Sequence, residues 1–158
     1  MGKISLVRLD EFDSLEGCLY SVASDDCENT LFDNFINENI QIYPNEVGEI
    51  IGKLKVMSSK TGFTDIFFKI NEGRPGDGVC AITDYKKKLR LYCVRFGNIL
   101  LVLGGGGPKT TRTYQEDQKL LAENLMMQNV SKQITEAIKN KELYIDDDGS
   151  LLGPMVIE

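Results

Sequence analysis

Two apolar runs, Leu89–Phe96 and residues 99–103, meet at Gly97-Asn98, and this constrains the fold more than any other stretch of the chain. Runs of this length, rich in aliphatic and aromatic residues and separated by a Gly-Asn pair, predict two antiparallel strands joined by a tight turn. The second run ends in no ordinary polar turn. It passes into Gly104-Gly105-Gly106-Gly107-Pro108-Lys109-Thr110-Thr111-Arg112, the most unusual segment in the sequence.

The rest of the chain can be ordered around that hairpin. Residues 4–12 alternate loosely as a strand, Gly17 punctuates, and residues 18–23 form its hairpin partner. A polar stop at residues 24–29 precedes a helix over 30–40, in which Leu31, Phe32, Phe35 and Ile36 recur at helical spacing with Asn29 as the cap. Pro44 opens a second helix to about residue 60, with Val47, Ile50, Ile51, Leu54 and Met57 on one face and Gly62 as terminator. Residues 65–70 predict a strand, 72–78 a loop, 79–83 a strand, and 84–87 a turn. One long helix is expected over 116–141, with Leu120, Leu121, Leu125, Val130, Ile134 and Ile138 as its apolar stripe. A terminal hairpin over 142–157 turns at Asp146-Asp147-Asp148-Gly149-Ser150. Strands in runs and helices in blocks predict an α+β fold in two layers, an antiparallel sheet packed against helices, with residues 1–158 as a single domain.

Composition removes several chemistries. The chain of 158 residues contains no histidine, so the usual general base and the usual metal ligand are both missing. Its four cysteines, at positions 18, 27, 80 and 93, form no CxxC pair, and Cys80 and Cys93 lie in apolar strand contexts as small core residues. No cofactor is expected. No apolar run approaches the roughly 20 residues needed to span a bilayer, and Lys3 to Leu6 read as strand, not as a secretion signal. The expectation is a cytoplasmic protein with no membrane partner.

Charge is segregated. Between positions 85 and 115 lie Lys86, Lys87, Lys88, Arg90, Arg95, Lys109 and Arg112, with no acid, while the remainder carries 11 basic and 24 acidic residues. The net charge of −6 is thus +7 inside that window and −13 outside it. A local positive field attracts phosphate whatever the distant surface carries. The glycine run inside the window resembles a nucleotide-binding loop, but Pro108 stands where that loop needs a glycine before its Lys-Thr pair, and proline has no N–H to give a phosphate. A structural reading remains, in which the glycines let the backbone turn or pass close to another element.

The run Leu89-Arg90-Leu91-Tyr92-Cys93-Val94-Arg95, then Ile99-Leu100-Leu101-Val102-Leu103-Gly104, then Lys109-Thr110-Thr111-Arg112-Thr113, resembles the core of the RelE/HigB-like toxins, specifically the phage-derived HigB-type branch of type II toxin–antitoxin systems. The resemblance is best over residues 79–133. It implies a RelE/ParE-like core over about 30–141, with the N-terminal hairpin 4–23 and the C-terminal hairpin 142–157 as additions. It also implies an mRNA endonuclease, acting on free or ribosome-bound RNA and restrained by a co-encoded antitoxin protein. In such an enzyme the RNA 2′-OH attacks its own phosphate without metal, and basic residues stabilise the charge that develops. Carried over position by position, Lys109 and Arg112 are the expected catalytic residues. Arg90 and Arg95 are expected RNA contacts, and Tyr92 and Tyr114 are candidates to stack on splayed bases. Strand alternation places Arg90 and Tyr92 on one face and Arg95 on the other, unless a bulge intervenes. The acidic remainder departs from the basic character of that family. It keeps open an alternative, a non-catalytic module on the same fold that docks a protein or nucleic acid.

Overall fold

In the computed structural model, which describes residues 2–24, 27–109 and 117–158, the hairpin at Gly97 is formed, and its second strand is far longer than the apolar run suggests. Strand β4 (Leu89–Phe96) pairs antiparallel with β5 (Leu100–Pro108), so all four glycines are strand residues and not a turn. The register steps from Leu91↔Gly106 to Cys93↔Leu103, which sets Gly104 and Gly105 together opposite Tyr92. That is a β-bulge on the glycine strand. β4 itself keeps strict alternation.

Around this pair the chain builds a six-stranded sheet in the order β3-β4-β5-β2-β1-β8, with β1 at Ile4–Arg8, β2 at Cys18–Ser24, β3 at Val79–Thr83 and β8 at Val156–Ile157. Most neighbours are antiparallel, but β2 and β5 run parallel from Cys18↔Leu100 to Ser21↔Leu103. The sheet is therefore mixed and not purely antiparallel. The reason is connectivity: β2 leads into two helices before the chain returns to the sheet, and that crossover allows a parallel neighbour.

Helices cover both faces. Helix α3 (Gln118–Lys139) buries Leu120, Met127, Val130 and Ile134 against Tyr20, Tyr92, Val94 and Val102. Helices α1 (Leu31–Asn39) and α2 (Pro44–Val56) bury Phe32, Phe35, Val47, Ile50 and Leu54 against Leu19, Leu89, Leu91, Cys93 and Leu101 on the opposite side. The layering is thus helix, sheet, helix, and the expectation of two layers is corrected. β2, β4 and β5 are apolar on both faces, as a doubly covered sheet requires.

Local signals are mostly honoured. Thr30, not Asn29, caps α1, in a reciprocal box with Asp33: Asp33 N donates to Thr30 Oγ1 and Thr30 N to Asp33 Oδ2, both at 3.0 Å. α2 opens on Pro44 and runs on as one wide turn over Met57–Thr61, closed where Gly62 N donates to Met57 O at 2.8 Å; Gly62 has φ 75 and ends the helix as expected. The strand expected over 65–70 is instead a short 3₁₀ turn, Asp65–Phe67, after which only Lys69 bridges to Ala81 on β3. The hairpin at the C-terminus is smaller than expected: β6 (Tyr144–Ile145) pairs with β7 (Leu151–Leu152), while β8 leaves it to pair with β1. No helix among the described residues is long and apolar enough to cross a membrane.

Candidate functional site

The glycines exist because of what α3 and β4 bring against them. A Cβ on Gly104 would meet Met127, one on Gly105 the Glu123 carboxylate, and one on Gly106 the Arg90 carbonyl. Gly107 would meet the Lys119 stem. Only a strand without side chains lets the first turns of α3 lie this close, and this close seating frames the end of β5 where Lys109 emerges.

Lys109 follows Pro108 and is tied by its backbone, with Lys109 N donating to Lys88 O at 2.9 Å. Across the ladder, Arg90 pairs with Gly107, so the two basic residues sit at the same end of the β4–β5 hairpin. Arg90 is 4% exposed and points to the α3 face. Its Nη1 lies 3.2 Å from Glu72 Oε1 and 3.5 Å from the Tyr92 hydroxyl, and its Nε is buried without a hydrogen-bond partner among the described residues. Lys69 Nζ stands 4.0 Å from the same Glu72 oxygen. Behind them Asn124 on α3 donates from Nδ2 to Glu72 O at 2.9 Å, and Gln128 Nε2 donates to Asn124 Oδ1 at 2.7 Å.

The cluster therefore gathers three cations, Lys69, Arg90 and Lys109, around one carboxylate. Desolvation, together with the neighbouring Arg90, Lys69 and Lys87 charges, holds the Lys109 ammonium below the ordinary lysine pKa, against the opposing pull of Glu72. Burial pushes the Tyr92 phenol up, with the Arg90 hydrogen bond and charge acting the other way. An excess of positive charge around a buried guanidinium suits an oxyanion with several acceptor oxygens.

Of the sequence-predicted residues, Arg90, Tyr92 and Lys109 come together. Arg95 does not: it lies on the α1–α2 face, where it forms an ion pair with Asp65, donates to Phe63 O at 3.0 Å and stacks over the Phe68 ring. The bulge falls on β5, so nothing rotates Arg95 round to join Arg90. Tyr92 is wholly buried and has no ring face to offer a base, so its stacking role is corrected to that of a partner for Arg90. Arg112 and Tyr114 lie outside the described residues. Lys88 is drawn to Glu46 at 3.5 Å. Lys69, Glu72 and Asn124 were not legible as site residues, because each is remote in sequence from the basic window; the one signal was a glutamate opening a loop that composition alone marked as polar. No family model, curated protein or solved structure matches the chain.

Proposed function

We propose that the chain is a RelE/HigB-like protein that engages RNA through a phosphate at the open end of the β4–β5 hairpin. The observation that carries this reading is the buried Arg90, with an unpartnered Nε, flanked by Lys69 and Lys109. A phosphodiester offers the oxygens that such a guanidinium lacks, and the two lysines add charge without fixing geometry. In this reading β3, β4, β5 and the three helices form the toxin-like core over about 30–141, and the hairpins at 4–23 and 142–157 are additions to it. The protein acts in the cytoplasm, and a co-encoded antitoxin protein restrains it by covering the basic end.

The enzymatic form of the proposal is metal-independent cleavage. The RNA 2′-OH attacks the adjacent phosphorus, the P–O5′ bond breaks, and the product carries a 2′,3′-cyclic phosphate and a free 5′-OH. Lys109, its pKa lowered by its surroundings, exchanges protons more readily than an ordinary lysine, and Arg90 and Arg112 stabilise the charge on the phosphorane. Binding without cleavage is the second reading, favoured by the −6 net charge and the absence of histidine.

The test is cleavage of free and ribosome-bound mRNA by the wild type and by a Lys109→Ala, Arg112→Ala double variant. Cleavage is expected to fall at least about 100-fold in the double variant, within the range usual for loss of general acid–base groups, with far-UV circular dichroism unchanged. Cleavage that persists undiminished would overturn the site. RNA binding without any cleavage by the wild type would select the second reading.

A further inference from the structure

We propose that Glu72 is a resident gate of this anion site: its carboxylate occupies the place of the incoming phosphate and is displaced by it. The inference rests on the reading of the cluster as a phosphate site.

The Glu72 side chain is only 8% exposed, yet it satisfies Arg90 incompletely. One oxygen, Oε1, serves both Arg90 Nη1 at 3.2 Å and Lys69 Nζ at 4.0 Å, while Arg90 Nε has no partner among the described residues. A guanidinium presents Nε and a terminal nitrogen as a fork that matches two oxygens of one phosphate. Phosphate at this place would gain the bond that the carboxylate leaves unmade.

The backbone around Glu72 is clamped, so displacement involves the side chain alone. Glu72 N donates to Val79 O at 3.1 Å, and its carbonyl accepts from Asn124. On one side Asn71 is held at φ 60. On the other, the Asp77 carboxylate accepts from Arg74 N at 2.8 Å and Val79 N at 3.0 Å, and Ser131 Oγ on α3 donates to Asp77 O at 2.6 Å. Lys69 is half exposed and already shares Oε1, so rotation of the Glu72 side chain towards Lys69 keeps its charge partnered as it leaves Arg90. The arrangement also discriminates: a monoanionic carboxylate ligand has no more to offer Arg90 than Glu72 does, whereas a phosphate ester has additional oxygens.

The experiment titrates inorganic phosphate, and separately a short all-2′-deoxy oligonucleotide that cannot be cleaved, into the wild type, Glu72→Gln and Lys109→Ala. Glu72→Gln is expected to bind phosphate at least tenfold more tightly than the wild type and to show the larger rise in melting temperature on phosphate addition. Equal or weaker phosphate binding by a folded Glu72→Gln would overturn the gate. If oligonucleotide binding is lost in Lys109→Ala but unmoved by Glu72→Gln, the site reading stands and the gate fails. If phosphate binds Glu72→Gln more tightly while neither protein binds the oligonucleotide, the gate stands and the RNA reading fails. Should the Glu72→Gln protein not fold, the ¹⁵Nε resonance of Arg90 in the wild type decides the matter. It is expected to shift progressively on phosphate titration, and a resonance unmoved at saturation overturns the proposal.

Discussion

At the scale of single residues, glycine and carboxylate placement governs the site more than the basic side chains do. Gly106 lies against the Arg90 carbonyl, so Gly106→Ala forces β4 and β5 apart. The expected loss is about 3 kcal/mol, the upper part of the usual overpacking cost, measured by urea unfolding. Gly52 provides the contrast. It sits on the exposed face of α2 with open space around it, and Gly52→Ala is expected to add about 0.5–1 kcal/mol by helix propensity. Glu123 gives a pH signature. Desolvation against β5 raises its pKa above the ordinary glutamate value, with Lys119 opposing and Glu38 reinforcing. A raised carboxyl pKa means that the folded state prefers the protonated form, so stability is fully present below the unfolded pKa and is lost as pH rises through the folded one. Glu123→Gln is therefore expected to raise the melting temperature at neutral pH, and the gain should vanish at acid pH. A gain independent of pH would show that the carboxylate's charge is not the cause.

At the scale of elements, α1 depends on a short polar box and β5 on an unusual accommodation. Removing the cap by Thr30→Ala is expected to cost about 1 kcal/mol, read from thermal unfolding, with the first turn of α1 exchanging its amides faster. Beyond the cap, Phe32 N donates to Ser21 Oγ at 3.2 Å, and Ser21 Oγ donates to Leu103 O at 2.7 Å. This relay stands where the β2–β5 pairing ends, at Ser21↔Leu103, and α1 packs along the glycine half of β5 beyond that point. Alternation in β4 and the stripe on α3 were legible because each is a local period. The path of β5 was not. Four glycines read locally as a turn, and only the proximity of α3 and the β4 ladder makes an extended, buried conformation the better one.

At the scale of the whole molecule, the fold redistributes the charge that the sequence segregates. Three cations of the basic window acquire carboxylates from outside it: Arg90 from Glu72, Arg95 from Asp65 and Lys88 from Glu46. The field that remains is concentrated at Lys109 and its neighbours. A site of about three cations on single-stranded RNA predicts a slope of about −2 in log Kobs against log salt, from roughly −0.7 per phosphate neutralised. Filter binding between low and moderate salt measures it. A slope near −5 would mean that the entire basic window is engaged.

The sequence by itself determined the helices, the β4–β5 hairpin, the division of β4 into two faces, and the exclusion of histidine chemistry and of a phosphate-binding loop. Each of these is a matter of periodicity, turn chemistry or a missing functional group, which a few neighbouring residues suffice to specify. Only the tertiary structure decided that the sheet is mixed and covered on both faces, that the glycines are strand, that Arg95 stands apart from Arg90, and that Lys69, Glu72 and Asn124 belong with Lys109. These depend on contacts between residues far apart in the chain. A carboxylate eighteen positions from its arginine carries no local mark of the pairing, and only the packing of the 69–78 loop between β3 and α3 brings the two together.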